Sequence, residues 1–212
     1  MNNYPHVFTP IKIGRMTVKN RIEMAPVMPF LATIDGDASS ELIAWERAFA
    51  RGGAGIVTIG DTPIMSETAT RVGHILNLGM DKSVAGLNRL AETIQRYGAR
   101  ASIELTYFDP GACGSPMDLT IKEIKMVIES YAKAAYRCLN AGLDMLLIHG
   151  GHGHLISQFL SPKKNLRTDA YGGGFKKRAR FATEVLEAIR DKVGDRLAIE
   201  YRISADDWCP AV

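Results

Sequence analysis

Met145-Leu-Leu-Ile-His149-Gly-Gly-His152-Gly-His154 is the stretch that decides how this chain is read. Four apolar residues suited to a buried strand stop at a histidine and a glycine pair. Three of the chain's five histidines then fall within six residues. A strand that ends on titratable side chains and a Gly-rich turn matches the mouth of an α/β enzyme, because a (β/α)8 barrel carries its chemistry at the carboxyl ends of its strands. A lone histidine there reads as a turn residue or loop cap. His149 and His152, spaced i, i+3 directly after a strand, point to function.

The same plan repeats on both sides of this stretch. Downstream, residues 163–175 form a polar, Gly-rich loop, and Phe181, Val185, Leu186 and Ile189 mark an amphipathic helix. A strand over Leu197–Ile203 then ends at Ser204-Ala-Asp-Asp. Upstream, Thr120 and Glu123 form a capping box for a helix that buries Ile124, Val127, Ile128, Tyr131, Ala135 and Cys138 and stops at Gly142. Asp109–Pro116 is a turn-rich connection after the strand Ala101–Leu105. Before that strand, a helix from Asp81 presents Val84, Leu87, Leu90, Ala91 and Ile94 and ends at Gly98.

Gly55–Ile59 is near-continuously apolar, as a strand covered on both faces should be, and ends at Gly60-Asp61. Ser39 or Ser40 caps a helix whose inward face is expected to be Leu42, Trp45 and Phe49, with Gly52-Gly53 as its stop. Ile22–Ala25 is a first core strand closed by Pro26, which has no N–H for a ladder. Phe8–Arg21 alternates apolar and polar side chains about Gly14 and reads as a short hairpin.

Five βα units in series imply a parallel sheet with right-handed crossovers. An open doubly wound sheet and a (β/α)8 barrel both satisfy that pattern. No GxGxxG follows the first strand, which weakens a dinucleotide-binding fold. Polar residues at the end of every strand favour the barrel. A closed barrel needs eight strands and about 250 residues, so the expectation is a barrel-type α/β domain over 1–212, incomplete, with a hairpin over 1–20 and βα units one to five over 21–212.

A net charge of +3 from 26 basic and 23 acidic side chains leaves no nucleic-acid footprint. Lys176-Lys177-Arg178 with Arg180 reads as a solvated helix start. No apolar run is long enough to span a membrane, and the amino end has no secretory pattern. Cys113, Cys138 and Cys209 lack metal spacing and fit a reducing cytoplasm. A hydrolytic metal built on His149, His152 and His154 is a weak alternative, so no metal is expected.

Four stretches together resemble the amino-terminal part of the Old Yellow Enzyme family of flavin-dependent ene-reductases. They are Phe8-Thr-Pro-Ile-Lys-Ile-Gly14 with Lys19-Asn-Arg-Ile-Glu-Met-Ala-Pro26, His149 to Pro162, Asn165-Leu-Arg-Thr-Asp-Ala-Tyr-Gly-Gly173, and Tyr201-Arg-Ile-Ser204. The nearest branch is that of the 2,4-dienoyl-CoA reductases, clostridial enoate reductases and bile-acid-inducible NADH:flavin oxidoreductases. The resemblance implies a (β/α)8 barrel with FMN at its mouth. It also implies NADH or NADPH as reductant and an α,β-unsaturated carbonyl compound as substrate. His149 and His152 match the pair that donates to the substrate's carbonyl oxygen, where negative charge develops. Arg202 matches the cation beside the reduced flavin. Ala25, Pro26 and Val27 match backbone lying against the flavin ring, and Gly60 a glycine of close approach. Glu104 stands where most members carry a Gln, so it can accept from the flavin N3–H but not donate. Away from the resemblance, Arg202 reads as an ion-pair partner of Glu104 or Glu200.

Three departures go with it. His154 occupies the place of the family's tyrosine proton donor, so either its imidazole or solvent protonates the substrate. The loop after the third core strand, Thr106-Tyr-Phe-Asp-Pro-Gly, is short. Strands six to eight and their phosphate-binding loops are not in the sequence. The rival expectation is therefore a non-catalytic barrel fragment that forms a homo-oligomer through its open sheet edges.

Overall fold

A computed structural model of the chain describes residues 4–65, 72–107 and 115–205. Most of the turn expected at Asp109–Pro116, together with Cys113, Cys209 and the Asp206-Asp207 pair, lies outside these residues. The elements in order are β1 (Ile11–Ile13), β2 (Met16–Val18), β3 (Glu23–Met24), α1 (Ser40–Arg51), β4 (Ile56–Pro63), α2 (Ser83–Gln95), β5 (Arg100–Thr106), α3 (Ile121–Asn140), β6 (Met145–Gly150), α4 (Leu155–Leu160), α5 (Phe175–Arg178), α6 (Arg180–Val193) and β7 (Ala198–Ile203). β1 and β2 pair antiparallel about Gly14, whose φ of +56° suits a residue without Cβ. β3 to β7 form one parallel sheet in chain order. This is a five-stranded half barrel with helices on its outer side.

Parity along the strands sorts the side chains onto two faces. Val57, Ile59, Ala101, Ile103, Leu105, Leu146 and Ile148 point outward and join Leu87, Leu90, Ile124, Tyr131, Phe159 and Phe181 of the helices in one core. Ile56, Met145 and Ala198 point inward at the amino-terminal end of the strands, where Val18, Ile11, Ile13 and Met16 of the hairpin pack against them. The hairpin thus plugs the bottom of the half barrel, opposite the carboxyl ends that carry the histidines.

The capping box forms as the sequence predicts. Glu123 N–H donates to Thr120 Oγ1 at 3.2 Å, and Thr120 N–H donates back to the Glu123 carboxylate at 2.7 Å. Two expectations are corrected. The buried face of α1 is Leu42, Glu46 and Ala50, an i, i+4 stripe, with Phe49 partly buried against the core as expected; Trp45 instead is 37% exposed, its ring edge-on to Phe49 at 5.3 Å. The strand begun at Gly55 does not end at Gly60-Asp61. It continues to Pro63 through a register shift between Ile59 and Thr62, which carries Asp61 into the sheet. The short helix α4, directly after the histidines, has no counterpart in the sequence reading.

Candidate active site

His149 is the last inward side chain of β6 and is paired in register with Arg202 of β7. Glu104 of β5 lies between them. Arg202 Nη1 donates to Glu104 Oε1 at 3.0 Å, and His149 Nε2 stands 3.7 Å from the same oxygen. Glu104 and His149 are each 2% exposed at the side chain against 31% for Arg202. Burial raises the Glu104 carboxyl above its ordinary range, and the guanidinium opposes that rise. This is the ion pair that residue chemistry alone suggested for Arg202.

Two contacts settle the histidine tautomers. Gly151 N–H donates to His149 Nδ1 at 3.2 Å. That nitrogen therefore carries the lone pair, and neutral His149 presents Nε2–H. Burial, aided by the Arg202 guanidinium and the neighbouring imidazoles, lowers His149 to about 3, so the ring stays neutral. Arg202 Nη2 meets His152 Nε2 at 3.3 Å. A guanidinium has no acceptor, so Nε2 accepts and the His152 proton sits on Nδ1. His152 holds φ +54°, a left-handed conformation uncommon outside glycine, and its N–H donates to Ser204 Oγ at 3.2 Å. The His149 and His152 rings lie 5.0 Å apart, edge to face.

His154 is the residue before α4. Its carbonyl accepts from Gln158 N–H at 3.0 Å and Ser157 Oγ at 2.8 Å, which fixes the backbone. Its ring lies 4.3 Å from that of His149, and its Nε2 is 3.7 Å from Asp61 Oδ2. Asp61 was not singled out from the sequence; an aspartate directly after the glycine of a buried strand was the available signal. Burial first, then the charge of Glu104, pushes the Asp61 carboxyl up to about 7. Asp61, His149 and His154 offer ligand atoms within 4.8 Å of one another. The proton that Gly151 places on His149 Nε2 argues against metal ligation there, because a ligating nitrogen must present its lone pair.

The remaining sequence-predicted residues sit on the same rim. Ala25 and Val27 are exposed and Pro26 half-buried, just past β3. Gly60 is crowded by the protein itself: an added Cβ would lie 2.5 Å from Pro26 Cβ and 3.0 Å from Glu104 Cβ. Its small size lets the Pro26 turn after β3 and the Glu104 side chain of β5 both close over β4.

Comparison with known proteins places the chain in a family. The model of the NADH:flavin oxidoreductase / NADH oxidase family matches residues 6–114 and 108–210. The chain belongs to that family, the Old Yellow Enzymes. It is 34% identical over 229 residues to an NADH oxidase of Thermoanaerobacter brockii, covering 98% of this chain and 35% of that protein. It is 33% identical over 224 residues to an NADPH dehydrogenase of Clostridium acetobutylicum, covering 95% of this chain and 65% of that protein. The crystal structure of Old Yellow Enzyme from Pichia sp. AKU4542 superposes with a TM-score of 0.84 at 23% identity, over 93% of this chain and 59% of that one, a likeness of fold. The chain thus spans about a third of the first relative and about two thirds of the second. The family is one of oxidoreductases, and it indicates FMN with NADH or NADPH.

The donor set fits an isoalloxazine. Its pyrimidine edge alternates acceptor, donor and acceptor, and a carboxylate beside a guanidinium complements an adjacent donor and acceptor. No helix of the described residues is long and apolar enough to cross a membrane.

Proposed function

We propose that this chain carries the ring-side half of an FMN-dependent ene-reductase site, acting on the C=C bond of an α,β-unsaturated carbonyl compound such as an enone or enoate. The convergence of His149, His152, Glu104 and Arg202 on one rim supports this reading more than any other observation. When bound, the flavin supplies hydride and is refilled from NADH or NADPH. Arg202 and Glu104 would hold the pyrimidine edge, and Ala25, Pro26 and Val27 would provide the backbone against its ring. Gly60 leaves room for the Pro26 turn and for Glu104 on either side of β4.

His149 Nε2–H and His152 Nδ1–H are neutral donors for the substrate's carbonyl oxygen. Fixed donors help most where charge accumulates during reaction, because they need no reorganisation. A neutral His149 also matters for chemistry. Its low proton affinity keeps it a hydrogen-bond donor that does not collapse into an ion pair with Glu104. His154 stands next to this pair as the proton donor to the α-carbon. The substrate is a small molecule, and the cysteine usage suits the cytoplasm.

The test is titration of FMN into the purified 212-residue chain, then anaerobic reduction by NADH and reoxidation by 2-cyclohexenone. Flavin absorbance that bleaches and returns is the expected result. Arg202→Ala should weaken FMN by roughly 10- to 100-fold, the worth of one charged hydrogen bond of about 1.5–3 kcal/mol. Sedimentation in the same buffer addresses the alternative: a flavin-free dimer or larger species would identify a barrel fragment that self-associates, and would remove the enzymatic reading for this chain.

A further inference from the structure

We propose that Ser204 is a positioning residue: by accepting the His152 N–H it keeps His152 in a left-handed backbone conformation, and so keeps the ring where Arg202 sets its tautomer. This deepens the ene-reductase reading and rests on it for its chemistry, though not for its test.

Gly151-His152-Gly153-His154 is a tight turn, closed by His154 N–H donating to the Gly151 carbonyl at 3.1 Å. Both central residues hold positive φ, +54° at His152 and +77° at Gly153. Such a mirror-image turn suits glycine or asparagine at its first central place. Glycine meets the demand at 153 without steric cost. Histidine at 152 does not, because its Cβ crowds the following carbonyl oxygen. The cost of one such residue and the worth of one hydrogen bond are of similar size. A single bond from outside the turn therefore decides whether His152 stays there.

The chain leaving β7 supplies that bond and one more. Arg202 and Ser204 are two residues apart, so extended backbone turns both side chains the same way. Ser204 Oγ accepts from His152 N–H at 3.2 Å, while Arg202 Nη2 donates to His152 Nε2 at 3.3 Å. One residue is thus held at its backbone and at its ring. The guanidinium is itself oriented by Glu104, which accepts from Nη1 at 3.0 Å. Gly151 makes room for the grip, since an added Cβ there would lie 3.2 Å from Ser204 Oγ. With the backbone held, Nε2 meets a group that can only donate, and the ring proton is confined to Nδ1. Without the hold, His152 relaxes toward negative φ and its ring swings off Arg202. The tautomer then reverts to the Nε2–H form that free histidine favours. His152 is exposed, so this choice sets which nitrogen donates to a carbonyl oxygen that reaches the ring.

The experiment reads the flavin-free chain first. With only five histidines, imidazole ¹⁵N–¹H correlation spectra at pH 8 separate the rings, and His152→Gln assigns His152. The wild-type chain should show the Nδ1–H pattern at His152. Ser204→Ala should convert it largely to Nε2–H, and Ser204→Thr, which keeps the accepting oxygen, should retain Nδ1–H. Three results would overturn the proposal whatever FMN does: an Nε2–H ring in the wild type, a tautomer unchanged in Ser204→Ala, or one lost equally in Ser204→Thr. In FMN-loaded protein, Ser204→Ala should lower kcat for 2-cyclohexenone by roughly tenfold, a fraction of the 10²- to 10³-fold that one oxyanion donor is worth. KM should change little, because the donor acts where charge develops. A rise in KM with kcat unchanged would make His152 a ground-state contact and would also refute the role given to Ser204. Absence of flavin binding would sink the ene-reductase reading, while the spectra still decide what Ser204 does.

Discussion

The two faces of the sheet are built from the same strands and have opposite chemistry. On the outer face, Val57, Ala101, Ile103, Leu146 and Ile148 meet helix side chains, and every one of them is 2% exposed or less. On the inner face, above the hairpin plug, β3 to β7 present Glu23, Thr58, Ser102, Glu104, His149, Glu200 and Arg202. Barrel interiors are usually packed with bulky branched apolar side chains. This one is polar well below the rim, and Ser102 Oγ and Glu200 Oε2 are buried without hydrogen-bond partners among the described residues. Burial, with the charge of Glu23 adding to it, raises the Glu200 carboxyl. The outer face holds the fold together, whereas the inner face pairs some polar groups within the sheet, as Arg202 with Glu104, and leaves Ser102 Oγ and Glu200 Oε2 without a partner among the described residues.

That contrast predicts where substitutions will hurt. Phe181 is fully buried in the outer core, its ring 4.4 Å from that of Phe159. Phe181→Ala should cost about 3–5 kcal/mol of stability, read as a fall in the midpoint of denaturant unfolding at constant slope. A loss under 1 kcal/mol would mean that the outer layer is not the principal core.

The next test uses the exception on the helix side. Glu46 of α1 is 2% exposed, and burial alone pushes its carboxyl up to about 8 from an ordinary 4.5. In this window the folded state keeps the proton and the unfolded chain releases it. The contribution of Glu46 is thus complete below the unfolded value and is lost as pH rises toward 8, by about 1.4 kcal/mol per pH unit at most. Glu46→Gln should flatten the decline of stability between pH 5 and 8. An unchanged pH profile would show that Glu46 reaches water or an ion pair.

The outer face was legible in the sequence because it follows periodicity. Leu87, Leu90, Ala91 and Ile94 on α2, and Ile124 through Cys138 on α3, are buried as their spacing requires. Trp45 misled, because a large aromatic outranks Glu46 on any hydrophobicity scale although the i, i+4 stripe runs through Glu46. The rim was legible in part. His149, His152 and Arg202 stand at strand ends that composition marks clearly. Asp61 was marked only as a polar strand end, because its turn toward the histidines depends on a register shift between Ile59 and Thr62 that the alternation of side chains does not announce. The histidine tautomers were also beyond reach, since they are set by the Gly151 N–H and by a guanidinium some fifty residues along the chain.

The smallest expected effects make the sharpest comparison, because they come from neighbouring residues. Ala101 and Ser102 are both 0% exposed, and consecutive positions on β5 point to opposite faces. Ala101→Ser puts a hydroxyl into the apolar outer core and should cost about 1–3 kcal/mol, the penalty for an unpaired buried polar group. Ser102→Ala removes a hydroxyl that already has no partner among the described residues. It should cost nothing, and by the same reasoning should stabilise by up to about 1 kcal/mol. Thermal unfolding of the two variants at one pH is enough to compare them. If Ser102→Ala instead loses more than about 1 kcal/mol, its hydroxyl is satisfied in solution. The inner face would then be covered by a group that completes it, and the two faces would be equally finished.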